Sequence, residues 1–295
     1  MRILLTGGNG QVGRELLKQL PPGYQVSAPG SCSTDISDPV AVERAVRDLQ
    51  PELIINAAAY TAVDLAESQS ERAWAVNHQG AANVAKAAHD CGAAVFQIST
   101  DYVFSGTRTS AYTEAQPTAP LCVYGASKLA GEQVVRETLS KSLVLRTSWV
   151  YSAYGNNFVK TMLRLASNRT ELSVVEDQIG CPTSAASIAS CLWRLAEQYR
   201  VKQDLTWGLY HFAGSPGCSW YDFARAIFAQ AVESGLIDLA PQVHAIDTSQ
   251  YPTAAKRPAY SVLDCSLIEK TFDIAQPDWK ADLQQLIEAL SSMPG

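Results

Sequence analysis

Arg2-Ile3-Leu4-Leu5-Thr6-Gly7-Gly8-Asn9-Gly10-Gln11-Val12-Gly13 opens the chain with a short apolar run that ends in glycines, and Gln11 to Leu20 then follows a helical pattern. A strand that passes through glycines directly into a helix is the arrangement of a dinucleotide-binding loop. In such a loop Gly7 permits the tight turn, Gly10 lets backbone N–H groups approach a pyrophosphate, and Gly13 lets the helix pack closely on the strand. Gln11 and Val12 stand between the last two glycines, where the helix N-terminus brings partial positive charge under the phosphates. An ordinary glycine-rich turn has the same composition. The position between the first strand and the first helix favours a cofactor loop, and the spacing GxxGxxG, instead of GxGxxG, points to the short-chain dehydrogenase branch.

Downstream the rhythm continues. Strands are expected at Tyr24 to Ala28, Leu53 to Ile55, Ala94 to Ser99 and Leu143 to Leu145, with helices from Asp38-Pro39 to about Leu49, from about Ser70 to Cys91, and from Val123 to about Thr138. Such alternation calls for an α/β fold, a Rossmann-type doubly wound parallel sheet with helices on both faces and its ligands at the carboxyl edge. After about residue 150 the pattern loosens. Helices are expected at 157–168, 187–198, 220–234 and 282–290, and strands near 172–175, 208–212 and 243–246. The division expected is 1–150 for the dinucleotide-binding domain and 151–295 for a smaller α/β substrate-binding lobe, with parts of the later chain returning to the first domain.

Tyr124-Gly125-Ala126-Ser127-Lys128 falls on one of the expected helices. Residues four apart share a helix face, so the Lys128 ammonium can sit near the Tyr124 phenol and a nicotinamide ribose. A free tyrosine titrates near 10, and a nearby cation is expected to lower that value and fit Tyr124 for general acid–base work. Ser99-Thr100 ends the preceding strand on the ligand edge, where the Thr100 hydroxyl can donate to a carbonyl oxygen as hydride arrives. A lone Tyr-x-x-x-Lys is usually a chance pair on a helix surface. The glycine loop and Thr100 together turn it into the site of a nicotinamide-dependent reductase.

The residue that grips the adenosine ribose should end the second strand, and Ser27-Ala28-Pro29-Gly30-Ser31 offers no carboxylate to repel a 2′-phosphate. Hydroxyls at Ser31, Ser33 and Thr34 can accept one, although no Arg or Lys lies nearby in sequence. NADPH is therefore expected, with NADH as the alternative. Asp35-Ile36 resembles the pair that flanks adenine in this superfamily, and Ala57-Ala58-Ala59 offers small side chains where the cofactor passes. A polar turn and a helix-cap region account equally well for both.

Composition excludes several classes. The 295 residues are 47% hydrophobic and 18% charged, with a net charge of −6; phosphate backbones attract basic faces, so nucleic acid is not an expected partner. No stretch approaches the roughly 20 apolar residues of a membrane span, and the N-terminal run is too short for an export signal. Seven scattered cysteines without a CxxC pair argue for reduced thiols in a cytoplasm. The four histidines show no metal spacing, and Glu67 and Glu71 read as a solvated face.

Beyond these single motifs the chain resembles the dTDP-4-dehydrorhamnose reductases along nearly its whole length. Ser99-Thr100-Asp101-Tyr102-Val103-Phe104-Ser105-Gly106, Val123-Tyr124-Gly125-x-x-Lys128-Leu129-x-Gly131-Glu132 and Arg146-Thr147-Ser148-Trp149-Val150-Tyr151 carry the likeness, with Ala57 to Asp64, Gly155 to Phe158, Asp177-Gln178-x-Gly180-x-Pro182-Thr183 and Arg257-Pro258. The resemblance implies reduction at C4 of dTDP-4-dehydro-L-rhamnose to give dTDP-L-rhamnose for cell-surface polysaccharide. It implies that Tyr124 is the proton donor and Lys128 its partner and ribose anchor, and that Thr100, Asp101, Trp149 and Val63 line the sugar pocket. Arg257 is a candidate for the diphosphate, since a guanidinium fork suits phosphate oxygens. Some family members form a magnesium-linked dimer through glutamates. Glu15 matches, but Ala186 stands where a second glutamate would align, so no metal is expected in the chemistry and both monomer and homodimer stay open. Two other functions share these features: a cofactor-binding regulatory subunit without activity, and a nucleotide-sugar epimerase or dehydratase.

Overall fold

The first strand, β1 (Arg2–Thr6), lies inside a parallel sheet because its apolar residues cover both of its faces. A computed structural model describes residues 1–292 of the chain. From β1 the chain turns into α1 (Gln11–Lys18), returns as the short edge strand β2 (Gln25–Ser27), and enters α2 (Pro39–Leu49). Asp38 caps α2 by accepting from the Val40 N–H, and Pro39 fills the first turn, as those residue types favour. β3 (Leu53–Asn56) is buried at every position, the pattern of a strand covered on both faces. The helices α3 (Val63–Ser68), α4 (Ser70–Trp74) and α5 (Ala81–Cys91) lead to β4 (Ala94–Thr100), then α6 (Val123–Thr138) to β5 (Ser142–Thr147).

The expected straight helix from Ser70 to Cys91 is interrupted. Residues Ala75–Gly80 form a π turn between α4 and α5, which swings the Asn77 amide inward to accept from the Tyr60 N–H at 2.9 Å and donate to the Ser127 hydroxyl at 3.0 Å. Such bulges recur where a helix must present a side chain out of its normal phase.

The second half supplies β6 (Val150–Tyr151), α7 (Phe158–Ala166), β7 (Glu171–Val175), β8 (Ile179–Gly180), β9 (Thr183–Ser184) and α8 (Ala185–Lys202), followed by β10 (Gly208–His211) and β11 (Cys218–Ser219). It closes with α9 (Trp220–Glu233), β12 (Gln242–Ile246), α10 (Ser266–Phe272) and α11 (Trp279–Ser291). The central sheet has the order β10-β5-β4-β3-β1-β2, and every pairing in it is parallel. One face is covered by α1 and α8 and the other by α2, α5 and α6, each with its own apolar core. This is the doubly wound α/β architecture.

No single cut near residue 150 divides the chain. β10 extends the sheet beside β5, and α8 lies on α1, with the Trp193 indole donating to the Leu16 carbonyl at 3.1 Å. The smaller lobe is what remains: α7, α9 and α11 with the parallel pair β7–β12, around Phe223, Phe228, Trp279 and Leu283. The short helices α3 and α10 were not expected, because six or seven residues hold too few turns for a 3.6-residue period to show.

Candidate active site

The glycine loop takes the shape its composition demands. Gly7 has φ +73°, and a Cβ there would meet the Ala57 carbonyl carbon and the Ala58 nitrogen at 2.5 Å; a side chain at Gly13 would strike the Gly7 carbonyl oxygen at 2.2 Å. The third glycine therefore lets the helix close on the loop's own backbone. Gly10 is the N-cap of α1 and offers no side-chain cap, which leaves the first N–H groups, including those of Gln11 and Val12, open to an anion. The Gln11 side chain is engaged elsewhere: its Oε1 accepts from Ser152 Oγ and Asn157 Nδ2, both at 2.9 Å, tying the loop to the lobe.

At the carboxyl end of β4 the Thr100 hydroxyl faces the Tyr124 phenol across from α6. Cys122 caps α6 through Gly125 N–H, and Glu67 Oε1 accepts from Val123 N–H at 2.8 Å. Glu67 lies on the exposed face expected of it, and its carboxylate also fixes the first turn of the helix that carries Tyr124. Gly125 is needed for the same seating, as a Cβ there would meet the Tyr102 carbonyl oxygen at 2.2 Å. The Tyr102 and Tyr124 rings then meet edge to face with centroids 5.5 Å apart.

Lys128 is buried and its ammonium donates to the Ile98 carbonyl at 2.6 Å. Burial lowers its pKa to about 8, and the Glu132 charge partly offsets this. The expected effect of Lys128 on Tyr124 is not what the geometry gives. Burial pushes the Tyr124 phenol up, and the Thr100 hydroxyl offsets it only in part. The Lys128 ammonium rests on the Ile98 carbonyl, while the half-buried phenol is desolvated beside Tyr102. Tyr124 is accordingly a neutral phenol, the state required of a proton donor.

Behind these groups runs a buried polar chain that the sequence did not announce. Thr6 Oγ1 donates to Asn56 Oδ1 at 2.5 Å, Asn56 Nδ2 to Gln97 Oε1 at 2.7 Å, and Gln97 Nε2 to the Ile98 carbonyl at 3.0 Å. The Ile98 carbonyl is also the acceptor for Lys128, so the chain links the glycine loop to Lys128. Its signal was polar side chains at the ends of β1 and β3 and in the middle of β4, strands otherwise rich in Ile, Leu, Val and Phe.

The remaining expected residues divide. Ala58 and Ala59 are half-buried beyond β3, beside Gly7. Asp35 is exposed and accepts from the Ser37 N–H and hydroxyl through Oδ1, whereas the Ile36 side chain is packed in the core with Val42 and Val84. No Arg or Lys adjoins Ser31 and Ser33 in sequence, but the fold brings one close. Arg44 of α2 turns back and donates from Nη2 to the Ser33 carbonyl at 3.1 Å.

In the second half of the chain, reaching Tyr102 just beyond β4, lies a cavity of about 1080 Å³ bordered by Tyr102, Trp220, Gln178, Arg169, Tyr251 and Arg257. Arg257 is held by Asp64, with contacts of 2.7 and 3.2 Å, and its guanidinium keeps the Asp64 carboxyl below the usual carboxylate range. Val63 stands half-buried at the start of α3, next to Asp64. Trp149 adopts φ +44° and stacks on Trp220 with centroids 3.4 Å apart and planes 6° apart. Trp220, missed in sequence, reads there as the first residue of an amphipathic helix.

The whole described chain, residues 1–292, matches the family model for the RmlD substrate binding domain. A dTDP-4-dehydrorhamnose reductase from Aggregatibacter actinomycetemcomitans is 47% identical over 287 residues, 97% of this chain and 98% of that protein. The chain belongs to the dTDP-4-dehydrorhamnose reductase family. Among solved structures, the Clostridium acetobutylicum reductase superposes with a TM-score of 0.92 at 38% identity, over 98% of this chain and 99% of that one. The Bacillus anthracis reductase, solved in complex with NADP, does so at 0.90 and 39% identity, over 97% and 98%.

Of the glutamates associated with a magnesium-linked dimer in some dTDP-4-dehydrorhamnose reductases, Glu15 matches here and Ala186 stands where a second would align. Glu15 is only 5% exposed and faces Gln19, whose amide also donates to the Ala186 carbonyl at 3.0 Å. Among the described residues no three His, Cys, Asp or Glu side chains come together as a metal set, and no helix is long and apolar enough to cross a membrane.

Proposed function

We propose that this chain reduces the C4 keto group of dTDP-4-dehydro-L-rhamnose to dTDP-L-rhamnose, with NADPH as the reductant, for cell-surface polysaccharide. The observation that carries the proposal is the half-buried Tyr124 phenol, kept neutral by desolvation, facing the Thr100 hydroxyl at the end of β4. When bound, the reduced nicotinamide supplies the hydride. The open N–H groups at the start of α1 would hold the pyrophosphate, and Lys128 would anchor the nicotinamide ribose. Thr100 would donate to the C4 oxygen, and Tyr124 would pass its phenolic proton to that oxygen as negative charge develops. The cavity at Trp220 and Arg257 has the size and the mixed aromatic and cationic border that a nucleoside diphosphate needs. Trp149 would cover the sugar from the side of Trp220, and Arg257 would meet the diphosphate.

Preference for the 2′-phosphate is supported by Arg44 above a loop that bears Ser31 and Ser33 and no ribose carboxylate. Gly30 sits against Asn9 of the glycine loop, where a Cβ would meet Asn9 Nδ2 at 3.3 Å, so the two cofactor loops adjoin. Arg44→Ala is expected to raise the KM for NADPH about tenfold or more, the worth of one hydrogen bond to a charged group, and to leave that for NADH unaltered. Equal effects on both would remove Arg44 from this role.

Following NADPH oxidation with dTDP-4-dehydro-L-rhamnose, with dTDP-4-dehydro-D-glucose as the control, tests the assignment. Oxidation confined to the first substrate is expected, and none with either would favour a regulatory subunit.

A further inference from the structure

Thr6, Asn56 and Gln97 stand opposite one another in the register of β1, β3 and β4. Residues in register share a face of the sheet, so the three make one polar row, and all are buried. A row of buried amides usually does no more than satisfy its own members. This one ends outside itself, on the oxygen that receives Lys128. The reason lies in where the strands part. The β3–β4 ladder ends with Asn56 opposite Gln97, and in a continuing parallel ladder the N–H two residues past Asn56 would reach the Ile98 carbonyl. That N–H, of Ala58, instead donates to Asn56 Oδ1 at 3.3 Å. The Ile98 carbonyl is thereby left to side chains, and accepts from Gln97 Nε2 at 3.0 Å and Lys128 Nζ at 2.6 Å.

The hydrogen bonds along the row run one way. The Thr6 hydroxyl and the Ala58 N–H both donate to Asn56 Oδ1, which sets that amide with its nitrogen toward Gln97. Asn56 Nδ2 then donates to Gln97 Oε1, which turns the Gln97 nitrogen onto Ile98. A flipped amide at either place would set oxygen against oxygen. A carbonyl oxygen has two lone pairs and an ammonium three protons. Gln97 takes one lone pair of Ile98 and Lys128 takes the other, so the ammonium has one place to rest and two protons left to give. Among the described residues the Lys128 ammonium has no other hydrogen-bond partner. Glu132, one turn further along α6, does not draw it away, because Arg146 holds both oxygens of that carboxylate.

We infer that Gln97 is a positioning residue for cofactor binding and reduction: oriented by Thr6 and Asn56, its amide occupies one side of the Ile98 carbonyl and confines the Lys128 ammonium to the other, leaving two ammonium protons for the hydroxyls of the nicotinamide ribose. Gln97 acts only through Lys128. The inference rests on the ribose-anchoring role proposed for Lys128 above and adds to it the side chain that fixes where the anchor stands. A group held in one place before the cofactor arrives loses less freedom on binding it.

The test is a double-mutant cycle on the full chain, read as NADPH affinity by fluorescence titration and as kcat with dTDP-4-dehydro-L-rhamnose. Gln97→Met keeps the length of the side chain and removes the donor. It is expected to weaken NADPH binding about tenfold and to lower kcat by a similar factor, as losses within one buried network do. In a Lys128→Met background the same substitution is expected to change neither quantity by more than about twofold, because the group through which Gln97 acts is gone. Equal losses in the two backgrounds, the mark of a merely structural role, would overturn the inference, as would the absence of any loss in Gln97→Met alone. Should Gln97→Met fail to fold because Asn56 Nδ2 is left unpaired, Asn56→Leu with Gln97→Met removes both partners at less cost to stability and goes through the same cycle with the same expectation. Wild-type protein that binds NADPH but oxidises none with this substrate would refute the reductase assignment, and the affinity cycle would still judge Gln97.

Discussion

Tyr124→Phe is expected to lower kcat by about 10² or more while NADPH binding is retained. The phenol oxygen faces Thr100, and phenylalanine keeps the ring that meets Tyr102 edge to face, so the loss reports proton transfer and not a collapsed site. Lys128 sets the upper pH limit of the same step. Its folded pKa of about 8 lies below the ordinary lysine value of 10.5, so its charge is present below about pH 8 and is lost above. Turnover of the wild type should fall through that range. Steady-state rates from pH 5 to 10, with NADPH affinity from fluorescence titration, check both statements. Near-normal turnover in Tyr124→Phe would remove the phenol from the proton-donor role.

The second large effect concerns stability. Arg146 of β5 and Glu132 of α6 form a bidentate pair, with contacts of 2.6, 2.9 and 3.1 Å, and the two side chains are 3% and 2% exposed. Removing one partner leaves the other charge buried and uncompensated, a cost of about 3–5 kcal/mol. Glu132→Ala is therefore expected to destabilise the chain by about that amount, read from denaturant unfolding at neutral pH. Replacing both residues with methionine should recover most of the loss, because it removes both charges from the interior. A Glu132→Ala variant within about 1 kcal/mol of the wild type would show that water reaches the pair.

How much of this was legible in the sequence depends on whether the signal was local. The glycine loop, the Asp38-Pro39 cap and the i, i+4 pair of Tyr124 and Lys128 are set by neighbouring residues, and each lies where its local chemistry requires. Features made by distant segments were not legible. Arg44 reaches Ser33 only because α2 packs behind the ribose loop. Glu67 meets Val123 across 56 positions. Gln178 accepts from the Trp220 indole at 3.2 Å only after β8 and β11 pair. The π turn at Ala75–Gly80 has no periodic signature strong enough to show against the alanine-rich helix around it. The low proton affinity expected for the Tyr124 phenol failed for a similar reason, since helix spacing sets where Lys128 can reach but the Ile98 carbonyl decides where its ammonium rests.

The central claim is that Thr100, Tyr124 and Lys128 direct net hydride delivery to C4 of a dTDP-linked 4-keto sugar. Single turnover with NADPH deuterated at C4 of the nicotinamide, followed by NMR of the sugar product, tests it most directly. One deuterium at C4 of dTDP-L-rhamnose, with none at C3 or C5, is the expected result. An unlabelled product, or an epimerised sugar with the cofactor still reduced, would contradict it.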